Sequence, residues 1–375
     1  MKRRVVINGR FLSQAVTGVQ RYAREVTRAL DDMAADNDPI VRGWEFELAV
    51  PPDARIDLAL RHIRVRVAGS LLRGQAWEQL ALPFAAGADT LLNFASTGPL
   101  AVRRQLVVIH DASMWAVPAA FTPVFRGWYR LLLPALGRSS RWIGTVSEFS
   151  RGELIKHVGV PAEKIIVTLA GAGHASAVPA DHAALSRFGL PEAPFVLAVS
   201  SDAPHKQFAV VEAALEHPSC AHLGFVIVGG DGGRTLAAGP RRPGGRARRV
   251  GRVTDGELRA LYERALCLAF PSMYEGFGLP PVEAMAVGCP VVVSTAGALP
   301  EVCGDAALYC APSDSTGLAA QIASLAADPG MRRDLVKRGL RRARLFTWRH
   351  TAQAIVRALD PGRHGGGRVS EASAA

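Results

Sequence analysis

The chain has 375 residues, a formal net charge of +11, 49% hydrophobic and 21% charged residues, a length that exceeds one ordinary core and suits two α/β domains of a soluble globular protein. No apolar run is long enough to span a bilayer, and Cys220, Cys267, Cys289, Cys303 and Cys310 form no Cys-x-x-Cys pair, so reduced, mostly buried thiols in a cytoplasmic protein are expected. The positive charge leaves three kinds of partner open: nucleic acid, an anionic membrane surface and phosphorylated substrates.

The basic start carries only three apolar residues before polar ones return, which predicts a first strand at 5–7 rather than a signal peptide. Thr17-Gly18-Val19 leads into a helix over 20–30. Gly18 there is either simple turn chemistry or a point where backbone amides approach a phosphate. Strands follow at 45–50, 63–67 and 90–94, with a helix at 77–84. Residues 105–109 form a buried strand that ends in His110-Asp111, at the sheet edge where α/β ligands bind. A histidine in that place is structural or catalytic. Residues 121–142 mix Arg126, Arg130 and Trp128 with leucines. Such a helix lies in a membrane interface or faces a core with a charged back. A strand at 142–146 precedes Ser147, which caps the next helix.

Residues 170–191 hold small residues, glycines and prolines with little periodicity and form the candidate hinge. A second series of strands and helices opens at 195–199. The loop 200–207 puts Lys206 beside a helix starting near Phe208, a place for a cation that shares an anion with the helix dipole. After a strand and turn at 224–230, residues 229–252 are glycine-rich, with Arg241, Arg242, Arg246, Arg248, Arg249 and Arg252 and one acid, Asp231. A nucleic-acid patch and a solvated loop both fit. The absence of interleaved stacking aromatics favours the solvated loop.

The most informative stretch is 270–301. A strand at 266–270 runs into a loop with Glu275, Gly276 and Gly278, then into Pro280-Pro281, suited to a helix's first turn. Gly288 and Pro290 end that helix, and a strand follows at 291–294. Glycines that meet a helix start make a site for anions and hydroxyls. Glu275 in the loop and Glu283 in the first turn can both face a cavity at the sheet edge, and a carboxylate accepts two hydroxyls, as a ribose diol or a sugar ring requires. Alone, Glu275 reads equally well as a solvated loop acid and Glu283 as a helix-dipole partner. A strand at 307–310 and helices at 315–327 and 331–345 follow, and Phe346-Thr347-Trp348 opens a last helix to about 359. The tail 361–375 is Gly- and Ser-rich and predicted disordered.

Glu275 and Glu283, separated by Gly-Phe-Gly-Leu-Pro-Pro-Val, form an E-x7-E motif, and the whole stretch resembles the retaining glycosyltransferases of family 4. The resemblance covers nearly the whole chain. It implies the GT-B fold, two Rossmann-like domains facing across a cleft: an acceptor-side domain at 1–175, a nucleotide-sugar domain at 176–345, a helix at 346–360 crossing back to the first domain, and the tail. It places Gly18, with Arg21-Tyr22 after it, opposite the donor phosphates, although Asn8 stands where the family has an acid. It sets His110 against the donor sugar, Lys206 on the pyrophosphate, Val250 near the nucleobase and Glu283 on the ribose. Glu275 and the amides of Gly276, Phe277, Gly278 and Leu279 are set on the sugar, with His110, Lys206 and Glu275 as the catalytic set.

The stretch Phe11-Leu12-Ser13 to Arg21-Tyr22 resembles mannosyltransferase-type members of polysaccharide and O-antigen assembly. The implied activity is transfer, with retention, of a mannose-like sugar from a nucleotide-diphosphate sugar to a saccharide or polyprenyl-linked acceptor. No cofactor, metal or nucleic acid is expected, and the location is cytoplasmic, peripheral on the inner face of an anionic membrane. Asp36-Asn37-Asp38 has the composition of a turn rather than a metal site. Two rivals, a basic nucleic-acid-binding α/β protein and a nucleotide-sugar epimerase, leave Glu275, Glu283 and Lys206 unexplained as a set.

Overall fold

The computed structural model describes residues 3–69, 71–190, 193–229 and 247–360. The expected disordered tail and Arg241, Arg242 and Arg246 lie outside the described residues. Strands β1 (Arg3–Asn8), β2 (Trp44–Val50), β3 (Arg64–Val67), β4 (Thr90–Asn93), β5 (Gln105–Val108), β6 (Trp142–Thr145) and β7 (Ile165–Val167) form one sheet, ordered β3-β2-β1-β4-β5-β6-β7. Strands β8 (Phe195–Val199), β9 (Gly224–Val228), β10 (Ala247–Gly251), β11 (Cys267–Phe270), β12 (Val291–Ser294) and β13 (Leu308–Cys310) form the second, ordered β10-β9-β8-β11-β12-β13.

Every pairing in both sheets is parallel. The central strands are unbroken apolar runs, Val5-Val6-Ile7 and Val291-Val292-Val293, all buried. That is the pattern of strands covered by helices on both faces. In each sheet the chain starts in the middle, works to one edge, then returns to the centre and works to the other. The reversal lies between β1 and β4 in the first sheet and between β8 and β11 in the second. At such a switch point the loops after the strands part and leave a crevice. Both halves are therefore Rossmann-type units.

Two strands escaped the sequence. β7 is a run of only three residues. β10 lies inside the stretch expected to be a solvated loop, and that expectation is corrected for 247–251. Arg248 and Arg249 there are exposed, yet the backbone pairs in parallel with β9, and edge pairing outweighs composition. The expected helix at 77–84 runs from Gly74 to Ala86, with a π turn over Trp77–Ala81. Its Glu78 is fully buried; Oε1 accepts from Asn8 Nδ2 at 2.6 Å, Thr97 Oγ1 at 2.8 Å and Arg10 Nε at 3.1 Å. Asn8 thus points its amide into the first domain's interior.

The helix Trp348–Leu359 packs on the helix Gly18–Ala35 of the first domain. Arg349 clamps it there, its guanidinium 2.7 Å from both Asp36 Oδ2 and Asp38 Oδ2. The Thr351 hydroxyl donates to the Leu169 carbonyl. Asn37 between the two aspartates has φ +53, so Asp36-Asn37-Asp38 is a turn that holds an arginine. Among the described residues no helix is long and apolar enough to cross a membrane.

Removing one member of a buried ion pair strands the other charge. Glu78→Ala is expected to cost about 3–5 kcal/mol, measured by urea denaturation. Adding Arg10→Met should recover much of the loss, because no buried charge then remains.

Candidate functional site

The loop after β11 is built to be immobile. The Glu275 carbonyl accepts from Ala298 N at 3.0 Å. The Gly276 carbonyl accepts from Ser147 Oγ at 2.6 Å and from Ser150 Oγ at 3.0 Å, two hydroxyls that belong to the first domain. A methyl on Gly276 would stand 2.7 Å from the His110 carbonyl and 2.9 Å from Asp111 Cβ, so only glycine lets the two halves meet here. Gly278, at φ +93, turns the chain into the helix Leu279–Ala286. Tyr274 accepts from Ala112 N at 3.2 Å and packs edge-on against Phe149. Phe277 is buried edge-on against Phe346 and offers a ligand only its backbone.

On the second domain's side of this loop, Lys206 Nζ donates to Glu275 Oε1 at 2.6 Å. The two side chains are mostly buried and belong to loops after β8 and β11, on either side of the switch point. The His205 carbonyl accepts from Met273 N at 2.8 Å, which ties the Lys206 loop to the glutamate's loop. Gln207 adopts φ +59 to start the helix Phe208–Glu216. Arg249 Nη1 lies 2.8 Å from Asp202 Oδ1 in the same loop. This second cation, next to Val250 on β10, belongs to the arginine-rich stretch expected to be a solvated loop, and the strand is what brings it to Asp202.

Glu283 is in the second turn of its helix, not the first: the helix begins at Leu279, and its first turn holds no acid. The carboxylate therefore stands away from the helix-start amides and is held by side chains. Tyr262 donates to Oε2 at 3.2 Å, and His174 Nε2 lies 2.8 Å from Oε1. Trp348 Nε1 donates to His174 Nδ1 at 3.2 Å. An indole N–H can only donate, so Nδ1 accepts and Nε2 carries the proton given to Glu283. Neither His174 nor Tyr262 could be assigned to Glu283 from sequence, nor Trp348 to His174, since 109 and 21 positions of chain separate the first two from Glu283 and 174 separate Trp348 from His174.

From the first domain, the helix Gly18–Ala35 reaches the cleft. Gly18 is exposed, with open space where a side chain would be. One turn on, Arg21 pairs with Asp255 of the second domain. Tyr22 donates to Thr168 Oγ1 at 2.9 Å and meets His110 and Trp348 edge-on, at 4.9 and 5.6 Å between ring centres. His110 Nε2 donates to the Phe94 carbonyl at 2.9 Å, which leaves Nδ1 as an acceptor. Burial pushes His110 below the usual histidine range, so the ring is neutral near pH 7. Glu301 of the second domain accepts from Glu148 N at 2.8 Å and Phe149 N at 3.0 Å, capping a first-domain helix.

A family model described as "Glycosyl transferases group 1" matches residues 187–342. The O-antigen chain mannosyltransferase B of Escherichia coli is 32% identical over 279 residues, 68% of this chain and 70% of that protein. The chain belongs to the group 1 glycosyl transferases. Its fold is GT-B. The Anabaena HepE protein, solved with UDP and glucose, superimposes with a TM-score of 0.71 at 18% identity, over 96% of this chain and 99% of that one. A sucrose-phosphate synthase from Thermosynechococcus elongatus gives 0.69 at 19% identity, over 94% and 96%. Within this glycosyltransferase, the matched residues include Lys206, Val250, Glu275 and Glu283; Gly18 and His110 fall outside them.

One further group of the transferase carries a consequence for pH. Burial, reinforced by the Lys206 ammonium, pushes His205 down from 6.5 to about 3, and its Nδ1 has no hydrogen-bond partner among the described residues. Between those values the unfolded chain binds a proton that the folded chain refuses, so stability falls as pH drops through this window. His205→Asn is expected to flatten the decline of Tm between about pH 6.5 and pH 4. Thermal melts across that range check it, and an unchanged slope contradicts it.

Proposed function

We propose that this glycosyltransferase moves a mannose-like sugar from a nucleotide-diphosphate sugar to a growing saccharide or polyprenyl-linked acceptor, with retention at the anomeric carbon and without a divalent metal. The observation that carries the reading is the Lys206–Glu275 pair, seated at the crevice beside the Gly276–Leu279 loop. An ammonium has three N–H donors. One is used by Glu275, and two remain for a diphosphate. Glu275 keeps lone pairs for sugar hydroxyls, and Glu283 keeps two for a ribose diol. The similarity to an O-antigen mannosyltransferase supports the sugar and the acceptor class.

In the reaction the bond from the anomeric carbon to the phosphate oxygen breaks and its electron pair leaves with the diphosphate, while an acceptor hydroxyl oxygen bonds to the anomeric carbon and its proton passes to the departing phosphate. Charge therefore grows on the leaving group, and a fixed cation opposite it stabilises the transition state more than the ground state. The two-carboxylate route of retaining hydrolases is not assigned here: Glu275 is tied to Lys206 and Glu283 to His174 and Tyr262. Metal independence is supported by the use of Asp36 and Asp38 in clamping Arg349. With EDTA present throughout, wild-type turnover should persist. Under the same conditions Lys206→Ala should lower kcat about two to three orders of magnitude, and Lys206→Arg should restore only part of it. Glu275→Ala should lower kcat more than it weakens nucleoside diphosphate binding. A folded Lys206→Ala enzyme with near-normal kcat at saturating donor defeats this assignment.

We further propose that the enzyme works in the cytoplasm, on the inner face of an anionic membrane. The helix Pro123–Ser139 buries Leu132, Leu133 and Leu136 but leaves Val124 85% and Leu131 74% exposed, beside Arg126 and Arg130. Exposed apolar side chains flanking arginines suit an interface of headgroups and acyl chains. Phosphatidylglycerol-containing vesicles should co-sediment the protein at low salt and release it near physiological salt. Arg126→Glu with Arg130→Glu should abolish retention and leave nucleoside diphosphate binding intact. A wild type that ignores these vesicles even at low salt overturns the membrane reading.

A further inference from the structure

We infer that His174, fixed by Trp348, is a positioning residue for Glu283, so that the returning C-terminal helix helps to set how tightly the donor nucleotide is held. The inference rests on the reading of Glu283 as the ribose-binding carboxylate. A carboxylate offers about four lone-pair sites. His174 and Tyr262 occupy one on each oxygen, and both bonds stop the group from rotating. The two sites left over face any incoming diol in a fixed orientation, and orientation set in advance is not lost again on binding.

The position of Trp348 makes this more than local support. Its ring is 7% exposed and packs edge-on against Tyr22, which packs in turn against His110. Its helix lies on Gly18–Ala35 of the first domain. His174 opens the short helix Gly173–Ala177, which packs on the Glu283 helix of the second domain. The single Trp348–His174 hydrogen bond therefore joins a side chain seated on one domain to a side chain seated on the other. His110, Tyr22, Trp348, His174 and Glu283 form an unbroken line of contacts across the molecule. Without the indole N–H, Nδ1 loses its partner and the His174 ring is free to turn about its Cβ–Cγ bond, so the proton offered to Glu283 is no longer held in place.

The test is calorimetric binding of UDP and GDP, continued with whichever binds the wild type more tightly, against its 2′,3′-dideoxy analogue. Trp348→Phe keeps an aromatic ring in the packing and removes the N–H donor together with part of the indole's volume, so the comparison of the two ligands, not the loss itself, reads the donor's role. It should weaken the nucleoside diphosphate about three- to tenfold and the dideoxy analogue less than about twofold. His174→Ala should behave alike, and His174→Gln, which retains an amide N–H near the place of Nε2, should recover most of the loss. In the Glu283→Ala background neither change should have further effect, since coupled residues are not additive. A merely structural role would weaken both ligands equally. Wild-type protein that binds the two ligands equally overturns the ribose reading itself. Discrimination that vanishes in Glu283→Ala but survives intact in Trp348→Phe and His174→Ala overturns the positioning role alone.

Discussion

The carbonyl of Gly276 finds its hydrogen-bond donors in the other half of the molecule. Buried backbone oxygens need partners, and this one takes Ser147 and Ser150 from the first domain. The reverse also holds: the helix-start amides of Glu148 and Phe149 find theirs in Glu301 of the second domain. Each domain thus completes polar groups that the other cannot satisfy, at the point where the strands of both sheets end. The loop carrying Glu275 is held in place by this exchange. Separation of the domains would expose a carbonyl, two hydroxyls and a helix start together, so the contact forms or breaks as a unit.

Charge at the cleft is economical despite the net +11. Lys206 faces Glu275, Arg21 faces Asp255 and Arg249 faces Asp202, so the described cations nearest the crevice all have acidic partners. His205 adds nothing, because it stays neutral through the physiological range. A diphosphate entering such a site meets ion pairs rather than bare cations. It competes with carboxylates for N–H donors, which favours ligands whose geometry uses the donors left free, and penalises a simple anion that must break a pair. On the donor reading proposed above, that competition would favour a sugar diphosphate over inorganic phosphate.

How much of this was legible in the sequence follows from the range of each interaction. Strand positions at the sheet centres were readable, because apolar runs and the glycines and prolines that end them are local signals. Glu275, Gly276, Gly278 and Glu283 could be named because spacing and the family resemblance concentrate them in one loop and one helix. Glu283 falls one turn later than the proline pair suggests, because the helix begins at Leu279, ahead of Pro280. β10 was missed because its arginines carry no strand pattern, and its pairing depends on β9. The support of Glu283 was beyond reach for a different reason: its partner His174 lies between the two sheets in sequence and the donor that fixes His174, Trp348, in the returning helix, and only the folded chain puts them together.

The start of the Leu279–Ala286 helix bears on how the leaving charge is met. A helix normally offers several unpaired N–H groups at its start, and these together make its anion site. Here two of the first three residues are Pro280 and Pro281, which have no N–H. The donors left at this end are those of Leu279 and the glycine loop before it. The amide contribution is therefore thinner than the fold alone suggests, and it sits beside Glu275. A diphosphate placed against the β8 loop would then depend on a side chain for most of its neutralisation. Lys206 is the cation held there, 2.6 Å from Glu275 and so fixed before any ligand arrives. A cation already oriented loses little freedom when charge develops opposite it. The proline pair and the ion pair are, on this view, two sides of one arrangement: the helix start gives up amides to make a rigid loop, and the lysine takes over the electrostatic work.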